Sequence, residues 1–111
     1  YEIRLSLVGS EMCIIDRYQA MGQAYVLSNW IDYGFDIQES IDAARFLLYD
    51  GELGAEIGVS ADVRAELERK GHRVVSTETP WGGGQAIVID WENGVLQGGS
   101  DPRKDGHAAG Y

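Results

Sequence analysis

Side chains that could act as nucleophiles or general bases are few and scattered in this 111-residue chain. The single cysteine is Cys13, and the two histidines are His72 and His107. No serine lies in a G-x-S-x-G elbow, the turn that exposes a catalytic serine in many hydrolases. We interpret both histidines as surface residues. These residue types and their spacing therefore predict no catalytic site and no substrate-binding site.

Carboxylates are concentrated in one short stretch, at Asp32, Asp36, Glu39 and Asp42. A catalytic pair requires two carboxyl groups that converge in a pocket with separated pKa values, and spacing alone does not indicate such convergence. Asp36 with Glu39 three residues later is instead typical of a capping box at a helix start. We therefore assign these acids to helix capping and solvation.

Three consecutive glycines, residues 82–84, could place backbone N–H groups against an anion or an oxyanion. Neither a G-x-G-x-x-G nor a Walker pattern surrounds them. We favour a structural interpretation, in which they permit positive φ and close packing at the start of a strand.

A more specific pattern is Ser100-Asp101-Pro102-Arg103. Pro102 fixes its own φ and favours an extended backbone at Asp101. The side chains of Asp101 and Arg103 can then reach separate partners, and Arg103 can form a bidentate pair with an acid. We predict a structural turn at Asp101, Pro102 and Arg103.

Composition excludes several classes of function. The net charge of −9 and a sequence pI of about 4.5 disfavour binding to nucleic acid or to an anionic membrane surface. One cysteine excludes an internal disulfide framework and a Cys-based zinc site, and two histidines are too few for a convincing metal cluster. No apolar run reaches the length of a membrane span. We expect no nucleic-acid partner, no membrane span and no metal site.

Hydrophobic periodicity and turn residues predict an α+β chain. We expect a helix over 19–33, apolar on nearly all sides and therefore buried between layers. A second helix should begin at Asp36 and end near Phe46. Short extended pieces follow, and Ser60 should cap a helix over 61–70 that presents Arg64 to solvent and keeps Val63 inside. Strands are predicted over 72–77, 85–90 and 95–99, the last two joined at Asn93-Gly94 in a hairpin.

Four stretches carry a resemblance to a known family. They are YQAMGQAYVLSNWIDYGFDIQESIDAARF, VSADVRAELERKGH, GGGQAIVID and GGSDPRKDGHAAGY, in this order along residues 18–111. The segment resembles the C-terminal part of the small subunit of γ-glutamyltransferases (γ-glutamyltranspeptidases), in particular the bacterial branch that includes cephalosporin-acylase-like enzymes.

The resemblance implies an N-terminal-nucleophile hydrolase αββα sandwich built from both subunits of a self-cleaved precursor. In this family a new N-terminal threonine attacks the γ-glutamyl amide and uses its own α-amine as the base. The implied partners are a γ-glutamyl small molecule such as glutathione, the rest of the small subunit and the large subunit. No metal or organic cofactor is implied. Localisation is unknown, although relatives are often periplasmic or secreted.

Residues that the family uses in catalysis do not match positions of this chain. The nucleophilic threonine and the substrate-binding arginine belong to other parts of the enzyme, so we expect the fragment alone to be inactive. The Gly-Gly pair of the family's oxyanion hole should stand just before Tyr18, where this chain has Ile15-Asp16. Tyr18 and Gln19 are therefore the first residues expected to support the oxyanion loop.

Residues 1–17 differ in character from the rest of the chain. The string SEMCIIDR is similar to translated sequencing-adapter sequence, and the family resemblance begins directly after it. We predict a non-native leader at 1–17 and a γ-glutamyltransferase-like fragment at 18–111; an ordinary amphipathic strand from Ile3 to Val8 is the alternative for the leader.

Two other functions remain open from the sequence. One is a cephalosporin-acylase-like amide hydrolase of the same fold, whose pocket residues lie outside this chain. The other is a free-standing, non-catalytic interaction domain. Against the latter, a two-stranded hairpin is marginal on its own and would need a larger sheet.

Overall fold

The computed structural model describes residues 18–110, which form three helices and five strands. The predicted leader at 1–17 and the terminal Tyr111 lie outside the described residues. The helices are α1 (Gln19–Ile31), α2 (Ile37–Asp42) and α3 (Ala61–Arg69); the strands are β1 (Phe46–Tyr49), β2 (Glu52–Ala55), β3 (Arg73–Ser76), β4 (Gln85–Asp90) and β5 (Val95–Ser100). The α+β class predicted from the sequence is confirmed.

Helix α1 ends at Ile31, two residues earlier than predicted, and Gly34 follows with a φ of +72°. The prediction that this helix is buried on nearly all sides is wrong, because α1 packs against α2 and leaves Met21 and Ile31 about half exposed. Among its residues only Asn29 is buried.

Helix α2 begins with the capping box that the sequence predicted. The Asp36 carboxylate accepts from the Glu39 backbone N–H at 2.7 Å, and the Glu39 carboxylate accepts from Asp36 N–H at 3.1 Å. The helix ends at Asp42 rather than near Phe46, because Ala43 turns to an extended conformation and Phe46 begins a strand.

The first sheet has the order β1-β2-β3. Strands β1 and β2 pair antiparallel, with Tyr49 opposite Glu52, so the hairpin loop consists of Asp50 and Gly51, both at positive φ. Such a pair of residues is typical of the type I′ turn that matches the twist of two strands. Strand β3 then pairs parallel to β2, with Leu53 opposite Val74, after the chain crosses over through α3.

Helix α3 begins at the Ser60 cap as predicted, with the Ser60 hydroxyl 3.4 Å from the Val63 backbone N–H. The prediction for its faces is wrong in two places. Val63 is 45% exposed. Arg64 is partly buried and donates to the Val59, Ala55 and Glu56 carbonyls and to the Ser76 hydroxyl, because its long side chain reaches back over the ends of β2 and β3.

Strands β4 and β5 form a separate antiparallel sheet, which confirms the predicted hairpin. Asp90 pairs with Val95, so residues 91–94 form the loop, and Gly94 has a φ of +67°. Helix α2 packs against this hairpin, and the buried side chain of Ile41 lies next to Gly84 and Gly99. The second sheet is thereby joined to the rest of the chain at α2.

None of the helices in residues 18–110 combines the length and apolar character that crossing a bilayer requires.

Candidate functional site

Four charged side chains meet between the two sheets. They are Arg45, Glu56, Asp101 and Arg103, and we call them the charge cluster. Arg45, Glu56 and Asp101 are respectively 2%, 7% and 0% exposed. Residues of these types are almost never so buried unless they are paired, and here two cations face two anions.

Arg45 lies directly before β1 and contacts three other parts of the chain. Its guanidinium donates to the Asp101 carboxylate at 2.6 Å, to the Trp81 carbonyl at 2.7 Å and to the Ile41 carbonyl at 3.1 Å. Its Nε has no hydrogen-bond partner among residues 18–110. The carboxyl end of α2, the segment before β4 and the segment after β5 are thus held by one side chain.

Arg103 binds Glu56 with two parallel hydrogen bonds, Nε to Oε1 at 2.9 Å and Nη2 to Oε2 at 2.5 Å. This bidentate geometry is the strong form of an arginine–carboxylate pair. The same guanidinium also donates to Asp101 at 3.2 Å and to the Ile41 and Ala43 carbonyls. These two carbonyls lie at the carboxyl end of α2, where a cation is favourable.

The Asp101 carboxylate accepts hydrogen bonds from the guanidinium groups of both arginines of the cluster. Besides Arg45, its carboxylate accepts from the backbone N–H groups of Gly84 at 2.8 Å and Arg103 at 2.9 Å. Pro102 follows it in the turn and is exposed. One glycine of the 82–84 stretch therefore does present its N–H to an anion, and that anion is the protein's own Asp101.

Burial and hydrogen bonding act in opposite directions on the two carboxyl groups. Burial by itself raises the pKa of Asp101, but hydrogen bonds from the Arg103 and Gly84 backbones and from the Arg45 guanidinium hold that pKa below its usual value. For Glu56, burial is likewise outweighed by donation from Arg103 and from the Arg45 backbone, and its pKa is also lowered. Both groups are anions at neutral pH.

Tyr18 lies against the charge cluster at the start of α1. It is 3% exposed, and the Arg45 guanidinium carbon lies 5.7 Å from the centre of its ring. The centre of the Trp81 ring lies 6.3 Å from the centre of the Tyr18 ring. Burial raises the pKa of Tyr18 to about 12, so the phenol is neutral at physiological pH. Gln19, the first residue of α1, is partly exposed.

The other side chains that sequence reasoning considered do not converge. His72 and His107 are both exposed, and Asp36 and Glu39 are occupied in the capping box. Within residues 18–110, no three His, Cys, Asp or Glu side chains are placed to hold a metal ion. The side chains of the charge cluster bind one another and nearby backbone groups, and these bonds fix the positions of α2, β2 and the segments around β4 and β5.

Sequence reasoning identified Asp101 and Arg103 but missed their partners. Arg45 stands between Ala44 and Phe46, and Glu56 between Ala55 and Ile57. A charged residue flanked on both sides by apolar residues at an element boundary was the only signal, and it does not show which distant residue is the counter-ion.

Comparison with known proteins identifies the family. The γ-glutamyltranspeptidase family model matches residues 17–111. The chain is 41% identical over 86 residues to the glutathione hydrolase proenzyme of Escherichia coli, covering 75% of this chain and 14% of that protein. It therefore spans about one-seventh of the length of this relative.

Solved structures agree with this result. An acivicin-inhibited γ-glutamyltranspeptidase superposes with a TM-score of 0.71 at 34% identity, over 79% of this chain and 49% of the other. The cephalosporin acylase of Bacillus halodurans gives a TM-score of 0.79, also at 34% identity, over 84% of this chain and 18% of the other. The α+β fold described above is a fragment of an N-terminal-nucleophile hydrolase sandwich. The chain belongs to the γ-glutamyltranspeptidase family.

Proposed function

We propose that this chain is the C-terminal part of the small subunit of an enzyme that transfers or hydrolyses γ-glutamyl amides. The observation that carries the proposal is the family match over residues 17–111. In this enzyme an N-terminal threonine, supplied by a preceding part of the protein, forms the acyl-enzyme. A γ-glutamyl small molecule such as glutathione is the substrate.

The contribution of the charge cluster is structural. It ties α2 to both sheets, and a catalytic group elsewhere in the enzyme is positioned on that framework. Hydrolysis by an N-terminal nucleophile depends on placing reactive groups within a fraction of an ångström, so a rigid support is part of the catalytic requirement. The turn at Asp101, Pro102 and Arg103 supplies two of the four members of the cluster.

Tyr18 and Gln19 support the loop that supplies oxyanion N–H groups in the proposed enzyme. Tyr18 is well placed for this role because its ring is buried beside Arg45 and Trp81. It begins α1 without a side-chain cap bond, so packing of the ring fixes the start of the helix.

The remaining part of the small subunit and the large subunit are the proposed partners. Support comes from the curated relatives, which are named proenzymes and are several times longer than this chain. Exposed apolar residues on the second sheet are consistent with such a partner: Ile87, Ile89 and Leu96 are 70%, 44% and 68% exposed.

Residues 1–17 are proposed to be a non-native leader. This proposal is supported by the family match, which covers residues 17–111 and so leaves out all but the last residue of this segment. Sequencing the source gene through this position tests the proposal. A Gly-Gly pair at positions 15 and 16, in place of Ile15-Asp16, is the expected result, and an unbroken reading frame that retains SEMCIIDR in the gene contradicts it.

Release of chromophore from a γ-glutamyl anilide tests the function. The full-length enzyme that contains residues 18–111 should release it, whereas the purified 111-residue chain should give no signal above a buffer blank, because it lacks the nucleophile. Absence of activity in the full-length, processed enzyme contradicts the proposed substrate class. Activity in the 111-residue chain contradicts the assignment of the nucleophile to another part of the protein.

A cephalosporin-acylase-like amide hydrolase is the second candidate, and the superposition with the Bacillus halodurans enzyme favours it. The same full-length enzyme should then prefer a glutaryl anilide over the γ-glutamyl anilide. These substrates differ by the α-amino group, so the ratio of their kcat/KM values distinguishes the two candidates.

A further inference from the structure

Trp81 lies in a slot that strand β2 forms for it. Gly54 in the middle of β2 has no side chain, and a Cβ at that position would overlap the Cη2 atom of Trp81 and lie 2.9 Å from its Cζ2 atom. The indole is therefore seated directly on the strand backbone. Gly54 is a position where a close approach of another group requires the absence of a side chain.

The charge cluster holds the backbone of Trp81 from both sides. Its carbonyl accepts from the Arg45 guanidinium at 2.7 Å, and its N–H donates to the Glu56 carboxylate at 3.3 Å. Trp81 is thus fixed by two members of the cluster through its main chain and by Gly54 through its ring.

The indole in turn contacts Tyr18 at the start of α1. The two ring centres are 6.3 Å apart with an interplanar angle of 34°, within the range of favourable aromatic pairs. Tyr18 also lies close to the Arg45 guanidinium and to Gly22, where a Cβ would lie 2.8 Å from two atoms of the Tyr18 ring. Movement of Trp81 would leave a gap beside the ring that fixes the start of the helix.

We propose that Trp81 is a positioning residue, which transmits the placement of β2 and the charge cluster to Tyr18 and the first turn of α1. The catalytic part of this inference rests on the proposed function, in which the loop before Tyr18 donates to the oxyanion. Substitution of Trp81 then misplaces donors that act in the transition state. It therefore lowers kcat and leaves KM nearly unchanged.

The catalytic test uses the full-length, processed enzyme and three variants. Trp81→Leu removes the aromatic ring and should lower kcat by about ten- to a hundredfold, with KM changed less than about threefold. Trp81→Phe keeps a smaller ring and should show a smaller loss, about three- to tenfold. Trp91→Leu is the matched control, because Trp91 is 82% exposed at the tip of the β4–β5 hairpin, and it should leave kcat within about twofold.

Local hydrogen exchange provides the second measurement, in the same enzyme. The Gly22 amide donates to the Tyr18 carbonyl at 2.7 Å in the first turn of α1, and the Arg64 amide donates to the Ser60 carbonyl at 3.1 Å in the first turn of α3. Trp81→Leu should raise exchange at Gly22 by about tenfold and leave Arg64 within about twofold. A purely global loss of stability would raise both alike.

The outcomes separate this inference from the proposed function. An inactive wild-type enzyme contradicts the proposed function and the catalytic part of the inference, while exchange at Gly22 still decides the positioning of α1. If the wild-type enzyme is active, two results overturn the inference. One is that Trp81→Leu keeps full kcat, and the other is that exchange at Gly22 and at Arg64 rises equally in Trp81→Leu. If Trp81→Leu yields no folded enzyme, Trp81→Phe decides, and kcat within twofold of wild type overturns the inference.

Discussion

The guanidinium of Arg45 and the carboxylate of Asp101 lie 2.6 Å apart, and their side chains are 3% and 0% exposed. The two residues are 56 positions apart in the chain. Arg45 stands between α2 and the first sheet, whereas Asp101 directly follows the second sheet. This ion pair therefore closes the fold across the junction of the two sheets, and the consequences of removing it can be measured.

Arg45→Met should destabilise the protein by about 3 kcal/mol, because it removes the nearer of the two cations that face the buried Asp101 carboxylate and leaves only Arg103, at 3.2 Å. Arg73→Met is the matched control. Arg73 pairs with Glu52 at 2.9 Å, but its side chain is 76% exposed, and such pairs contribute about 0–1 kcal/mol. Denaturant unfolding of both variants measures the difference. Equal losses of stability would contradict the structural role assigned to the buried pair.

Acid should weaken the fold through the carboxylates of the cluster. Because the pKa values of Glu56 and Asp101 are lowered in the folded state, their stabilisation is fully present above the unfolded values of about 4.3 and 3.9. It is lost as the pH falls through the lowered folded pKa values. We expect the free energy of unfolding to decrease steadily from about pH 5 downward.

Glu56→Gln isolates one of these contributions. The variant should be less stable than wild type at pH 7 and should show a shallower decrease of stability below pH 5, because one titrating group is gone. Glu66→Gln is the control, since Glu66 pairs with Arg69 on the exposed face of α3. Urea titrations from pH 7 to pH 3 measure both slopes, and an unchanged slope in Glu56→Gln would count against the assigned pKa shift.

Local signals in the sequence predicted most of the elements. Ser60 and the Asp36–Glu39 box marked helix starts correctly, because a cap depends only on residues within one turn. The hairpin at β4 and β5 was predicted from alternation of β-branched residues and Asn93-Gly94. Asp50-Gly51 carries an equally local hairpin signal, within the region where the sequence predicts only short extended pieces.

Contacts between distant parts of the chain determine the features that the sequence did not predict correctly. Helical spacing favoured continuing α2 to Phe46, but the chain leaves the helix at Ala43 and Arg45 becomes buried against Asp101. Arg64 is predicted to face solvent, yet the backbone carbonyls of Ala55 and Glu56, at and just after the end of β2, bind it. In both cases the groups that bind the arginine lie in another part of the chain, and no local sequence pattern identifies them.

Gly99→Ala should destabilise the junction between α2 and the second sheet by about 1–3 kcal/mol through overpacking. A Cβ at Gly99 would lie 2.9 Å from Ile41 Cδ1 and 3.4 Å from the Ile37 carbonyl oxygen, and both neighbours belong to α2. Gly110→Ala is the control, because nothing lies within 4 Å of a Cβ there. Thermal unfolding should show a lower Tm only for Gly99→Ala, and a Tm equal to that of the control would contradict close packing at Gly99.

The two capped helices allow a comparison of cap strength within one chain. The Asp36 carboxylate accepts at 2.7 Å and is supported by the return bond from Glu39, whereas the Ser60 hydroxyl lies at 3.4 Å from its donor. Asp36→Ala should therefore lower the free energy of unfolding by about 1–2 kcal/mol, and Ser60→Ala by about 0.5–1 kcal/mol. Urea unfolding of the two variants against wild type gives both values. The cap at α2 is expected to be the stronger, because its bond at 2.7 Å has a charged acceptor. A larger loss of unfolding free energy in Ser60→Ala than in Asp36→Ala would contradict this expectation.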